Sequence, residues 1–188
     1  MIKRMMGRLQ GARRLKDEQG AVLVELALCI TILLVLVFGV IDFSLIIFDR
    51  QVMSGISRQG SDLASRGGEP DPDSGIDPLQ QIVSALVTQG ETLNMATKGR
   101  IFITAVADVN GKPQIIDQAE SPSGISVNSA IGSGVGNAAR MPADATPVLQ
   151  AGETIYVTEV YYAFSPVTPI GKFLKLSLAS NLYESAYF

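Results

Sequence analysis

The sequence predicts an α+β protein: a long N-terminal transmembrane helix that continues into a small domain with an antiparallel β-sheet. Three observations carry this. Leu26–Ile41 reads LALCITILLVLVFGVI, with Thr31 its only polar side chain. Residues 101–116, IFITAVADVNGKPQII, form two apolar runs around Asn-Gly, a hairpin signal. Thr154–Phe164, TIYVTEVYYAF, is rich in β-branched and aromatic residues.

The first twenty residues hold Lys3, Arg4, Arg8, Arg13, Arg14 and Lys16 against Asp17 and Glu18, a net +4. The whole chain of 188 residues has a net charge of -3, so the body beyond residue 20 is acidic, at -7. With residues 21–24 and 43–48 the apolar stretch covers 21–48, interrupted by Glu25, Asp42 and Ser44. About 20 helical residues span a bilayer, so the length suffices with some tilt. A buried core helix fits poorly after so basic an arm. A cleaved secretory signal fits poorly too, because its apolar centre is short and ends at a small-residue site, whereas Asp49-Arg50-Gln51 follows here. The excess of basic residues before the run predicts a cytoplasmic N-terminus and an exported body.

Glu25 raises the main question, since a carboxylate in lipid costs several kcal/mol unless it is paired, protonated or able to reach the interface. Asp42 is near the far end of the span and can reach it. If the chain is cut after Gly20, Ala21 supplies a free ammonium four residues before Glu25. A neighbouring subunit's ammonium, or the chain's own, can then pair with the carboxylate and fix the register between helices.

Basic leader, Gly20, then an apolar helix with glutamate five residues on: this resembles the type IV prepilins. The stretch from Gln19 to Arg66, with Gly39, Asp42, Phe43, Arg50 and Gln51 in place, looks like the TadE-like proteins, pseudopilins of the tight-adherence secretion system. More loosely, Tyr162, Phe164, Pro166 and Pro169 resemble a strand end common in that family. The resemblance implies a type IV pilin-like fold. It also implies cleavage between Gly20 and Ala21 by a prepilin peptidase, with Glu25 as the assembly glutamate. Asp42 is carried as a second assembly position. The implied partners are that peptidase, other Tad pilins and minor pilins, the inner-membrane assembly platform and the lipid bilayer.

Past Phe48 the helix is expected to run amphipathically through 49–66, with Val52, Ile56, Gln59 and Leu63 recurring at helical spacing and Gly67-Gly68 ending it. Residues 67–78 form a Pro- and Asp-rich linker. Its Asp71-Pro72-Asp73-Ser74-Gly75 core lacks the terminal glutamate of a calcium loop, and no metal or other cofactor is expected. An extracytoplasmic α+β domain then occupies 79–188. Asp77 and Pro78 start a helix with Leu79, Ile82, Val83, Leu86 and Val87 on one face, ending near Gly90. Strands follow over 101–108 and about 114–116, and residues 119–150 read as an exposed excursion. Gly132, Gly134 and Gly136 there lack the Lys-Ser/Thr of a phosphate loop. In the strand 154–164, Tyr156, Thr158, Val160, Tyr162 and Phe164 share one face and Ile155, Val157, Glu159, Tyr161 and Ala163 the other. Residues 173–179 are expected to form a further strand, and LYESAYF a short edge.

The sequence has no histidine, and its one cysteine, Cys29, lies in the apolar run. The usual catalytic triads and zinc sites therefore lack their parts, and no enzyme is expected. Nucleic-acid binding is not expected either, as the only basic cluster is the leader. The competing reading is a plain single-span anchor carrying a ligand-binding or envelope-scaffold domain. That reading accounts for the hydropathy and the charge asymmetry but leaves Gly20 and Glu25 together unexplained.

Overall fold

A computed structural model describes residues 2–68, 77–141, 153–173 and 181–188. The chain divides into two units, Met1–Ser44 with Pro166–Leu176, and Leu45–Ser165 with Ser177–Phe188. Helix α1, Ile2–Gly67, contributes to both.

In the first unit the part of α1 beyond Gly20 is apolar on all sides apart from Glu25 and Asp42. From Gly20 it contains an 18-residue window of mean hydropathy 3.0 with none of that window buried. A helix apolar all round and covered by no other described residue over that window is matched to lipid rather than water. The other described part of this unit is the segment 166–173, which ends in the short helix α4, Pro169–Phe173. Phe173, expected to open a strand, closes this helix instead, and residues 174–179 lie outside the described residues.

The second unit is a four-stranded antiparallel sheet with helices on one face. Its strands are β1 (Gly99–Val109), β2 (Lys112–Glu120), β3 (Thr154–Tyr162) and β4 (Leu182–Tyr187), in the order β2-β1-β3-β4. Asn110 (φ 57°) and Gly111 (φ 78°) both take the left-handed conformation that a tight two-residue hairpin demands. Asp77 caps helix α2, Pro78–Gln89, its side chain accepting from the Gln80 N–H at 3.1 Å, with Pro78 in the first turn and Gly90 at the end, as the sequence predicts. The linker residues 69–76, including the weighed calcium loop, lie outside the described residues.

Between α2 and β1 a 3-10 turn, Gly90–Leu93, and the single-turn helix α3, Met95–Lys98, reverse the chain. Leu79, Val83 and Leu86 of α2 join Met53, Ile56 and Ala64 of α1 over Ile101, Ile103, Tyr156 and Val160 of the sheet. Each large side chain buried there contributes roughly 1.5–3 kcal/mol.

Two expectations need correction. The buried stripe of α1 is not Val52, Ile56, Gln59, Leu63: Gln59 and Leu63 are exposed. It is Met53, Ile56, Ser57, Gly60, Ser61 and Ala64. The stripe turns on small residues because the helix lies almost on the sheet. A Cβ on Gly60 would meet Thr158 Cγ2 at 2.7 Å and Leu86 Cδ1 at 2.8 Å. Ser61 next to it donates to the Ala186 carbonyl (2.7 Å) and accepts from the Thr158 N–H (3.1 Å). Thr158 and Ala186 are register partners, so a helix hydroxyl stands inside the β3–β4 ladder.

Nor is the region after residue 119 an exposed excursion as far as Met141. β2 extends through Glu120, and the chain then folds back over the sheet's second face. Ile131 and Ala139 are buried with Val106, Ile115, Ile155 and Val157. Gly132 (φ 130°), Gly134 (φ 87°) and Gly136 (φ 85°) bend it, and Gly136 N–H, Asn137 C=O and Ala139 N–H bond to Ile115 and Pro113. The backbone thus pairs along the β2 edge without regular periodicity, which is why hydrophobic spacing did not reveal it. Residues 142–150 lie outside the described residues.

The two helix glycines test this packing in opposite directions. Gly60→Ala is expected to destabilise the second unit by about 1–3 kcal/mol through overpacking. Gly55 is exposed, with nothing within 4 Å of an added Cβ. Gly55→Ala is expected to stabilise by up to about 1 kcal/mol. Thermal unfolding of both variants in detergent checks the pair; a stabilised Gly60→Ala would refute the close approach.

Candidate functional site

The sequence-predicted positions all lie on α1. Gly20, Ala21 and Glu25 are exposed on consecutive turns at the start of the apolar stretch. An added Cβ at Gly20 would meet nothing within 4 Å. Glu25 makes no hydrogen bond or ion pair with any described residue.

Asp42 is in a different situation. It lies about 26 Å further along the helix from Glu25, at roughly 1.5 Å per residue, and is only 6% exposed. Its Oδ1 accepts from the N–H groups of Val167 and Thr168, both at 3.2 Å, and its Oδ2 accepts from the Thr168 hydroxyl at 2.5 Å. The same Thr168 oxygen accepts from Gly171 N–H at 3.1 Å, and Thr168 C=O accepts from Lys172 N–H at 3.2 Å, so Thr168 caps α4 while it holds Asp42. Gly171 leaves room for Asp42 Oδ2, which a Cβ would overlap. Three donors from the same chain satisfy this carboxylate. The structure therefore does not bring Asp42 and Glu25 together, and one is saturated where the other has no partner among the described residues. The Thr168-Pro169 pair, a cap residue followed by proline, was the available signal for the partner segment.

A second buried carboxylate had no signal beyond its place in a strand. Glu159 of β3 is fully buried. The Ser129 hydroxyl donates to Oε2. Oε1 accepts from Ala130 N–H at 2.9 Å and from the hydroxyls of Tyr161 and Tyr183, both at 3.1 Å. Tyr161 packs edge-on against Phe102 at 5.9 Å between ring centroids and tilted against Tyr183 at 4.8 Å. The cluster pins the covering segment to the sheet. Burial, then the Glu159 carboxylate, hold the Tyr161 hydroxyl well above the ordinary phenol range. Burial foremost, with Glu159 adding to it, pushes Tyr183 up to about 12. Among the described residues no group of three or more His, Cys, Asp or Glu side chains is placed to hold a metal ion.

A lipid-matched helix that continues into the packed half of a small α+β sheet domain defines a single-span membrane protein of pilin-like build. Residues 20–62 match the model of a family described as TadE-like protein, so this segment is similar to that family. No curated protein and no solved structure matches the chain.

The tyrosine cluster gives a pH prediction. Unfolded phenols ionise near about 10. The folded state keeps these protonated to higher pH, so stability is fully present below about 10 and is lost as pH rises toward 12. Phenolate absorbance followed through an alkaline titration should show Tyr161 and Tyr183 ionising late. In Glu159→Gln they should ionise at lower pH, because the neighbouring charge is gone while burial remains. An unchanged titration would remove Glu159 from the account.

Proposed function

We propose that the protein is a minor pilin, or pseudopilin, of a tight-adherence pilus assembly and secretion system. In this reading a prepilin peptidase cuts between Gly20 and Ala21 on the cytoplasmic side, and the body from about residue 49 is exported. The observation that carries it is Glu25: a carboxylate inside the apolar stretch, exposed and without a partner among the described residues, one helical turn beyond Ala21. Cleavage would make Ala21 an ammonium and place Glu25 in the first turn, where the positive end of the helix dipole favours a carboxylate. In low dielectric an ammonium from a neighbouring subunit is its natural counter-charge, while the bare apolar surface of α1 packs on other pilin helices. Gly20 weakens the helix locally by about 1 kcal/mol relative to alanine, which eases opening at the bond to be cut.

The proposed partners are the peptidase, other Tad pilins and minor pilins, and the inner-membrane assembly platform. The exported domain then caps or decorates the assembly. Its role is to be processed and assembled.

Intact mass and N-terminal sequencing of membrane-extracted protein, with and without the cognate prepilin peptidase, test the reading. Ala21 is expected as the first residue only with the peptidase, and a Gly20 substitution should abolish that product. Glu25→Gln should be cleaved like the parent but fail to copurify with partner pilins. Retention of residues 1–20 under both conditions would leave a simple single-span anchor with an exported domain.

A further inference from the structure

The segment 166–173 has no role in the reading above, yet Asp42 fixes it at one particular level of α1. A hydrocarbon core of about 30 Å takes about 20 helical residues. Whether that core begins at Ala21 or just after Glu25, at Leu26, it ends between about residues 41 and 46. Asp42 lies within that window, and Ser44 follows it. The segment bonded to Asp42 is therefore held at the level where the helix leaves the hydrocarbon.

The composition of the segment suits that level. Val167 is 64% exposed although it is apolar and its neighbour Thr168 is buried. Pro169 and Lys172 are exposed as well. Beside them on α1, Ile41 and Phe43 are 43% and 58% exposed. Apolar side chains next to a lysine that can reach the phosphate level are the chemistry of a bilayer interface. Four backbone N–H groups there are already paired: Val167 and Thr168 N–H go to Asp42, and Gly171 and Lys172 N–H go to Thr168. Such a segment can enter the interface with those donors kept paired in a medium that would not replace their bonds.

We propose that residues 166–173 are a membrane-interface foot, with Val167 inserted at the acyl–headgroup boundary, Lys172 facing lipid phosphate, and Asp42 as the residue that positions it. The apolar surface of the span continues into the foot, and lipid is the occupant of both. The proposal rests on the single-span reading of α1, and the experiment keeps the two apart.

The full chain is reconstituted in phosphatidylcholine–phosphatidylglycerol vesicles with acyl chains brominated near the headgroup. A fluorophore is placed either on the native Cys29, exposed on the span, or on Val167→Cys in a Cys29→Ser background. Both labels should be quenched by the brominated lipid, and the label at 167 should be shielded from aqueous iodide. Adding Asp42→Ala should abolish most lipid quenching at 167. Asp42→Asn, which keeps the acceptor for the two N–H groups, should retain it, with thermal unfolding confirming that both variants are folded. Quenching at Cys29 but not at 167 would overturn the foot while leaving the span intact. Quenching at neither would overturn the span itself. A label at 167 shielded from iodide yet untouched by brominated lipid would mean that protein covers the segment, and would overturn the lipid assignment. Quenching at 167 that survives Asp42→Ala would overturn the positioning role of Asp42.

Discussion

The second unit depends on how closely α1 approaches the sheet at Gly60 and Ser61. A side chain of any size at position 60 would collide with Thr158 and Leu86. Ser61 offers one hydroxyl to both sides of a ladder position, so the helix replaces part of the β3–β4 pairing rather than merely lying over it. Backbone groups buried under a helix must find partners, and an unmade bond there costs about 1–3 kcal/mol. The small residue and the hydroxyl together let α1, α2 and all four strands share one core. Once the helix is placed there, the sheet's second face remains open, and the covering segment through Ile131 closes it.

Two of the chain's buried carboxylates are handled in the same way. Asp42 and Glu159 are satisfied by hydroxyl and backbone N–H donors of the same chain. Hydrogen bonds to a charged acceptor are stronger than neutral ones and bring no long, entropically costly cationic side chain into the interior. Each carboxylate fixes an otherwise irregular segment: 166–173 for Asp42, 129–132 for Glu159. Glu25 is treated differently, as no described residue reaches it. Of the three acidic groups, it is the one without a partner among the described residues.

Much of the architecture was legible along the chain. The apolar stretch, the Asp77-Pro78 helix start, the Asn110-Gly111 hairpin and the two faces of β3 all follow from local rules of turn geometry and side-chain period. Gly20, Ala21 and Glu25 rest on spacing along one helix, and their roles remain part of the proposed function. The buried stripe of the distal helix was misread because hydrophobic periodicity weighs large apolar side chains, whereas this contact selects glycine, serine and alanine. The covering segment was missed because its bonds run from irregular backbone to the β2 edge and leave no period.

The sequence by itself determined the class of protein: one lipid-matched helix, a basic start, an acidic body and a small antiparallel sheet. Those features are set by composition and by interactions over a few residues. Only the tertiary structure decided that Asp42 holds residues 167 and 168, and that Glu159 gathers Ser129, Ala130, Tyr161 and Tyr183. Asp42 and Thr168 are 126 residues apart in the chain. No local propensity links groups so distant; the link is made only when folding removes water from both and leaves each as the other's available partner.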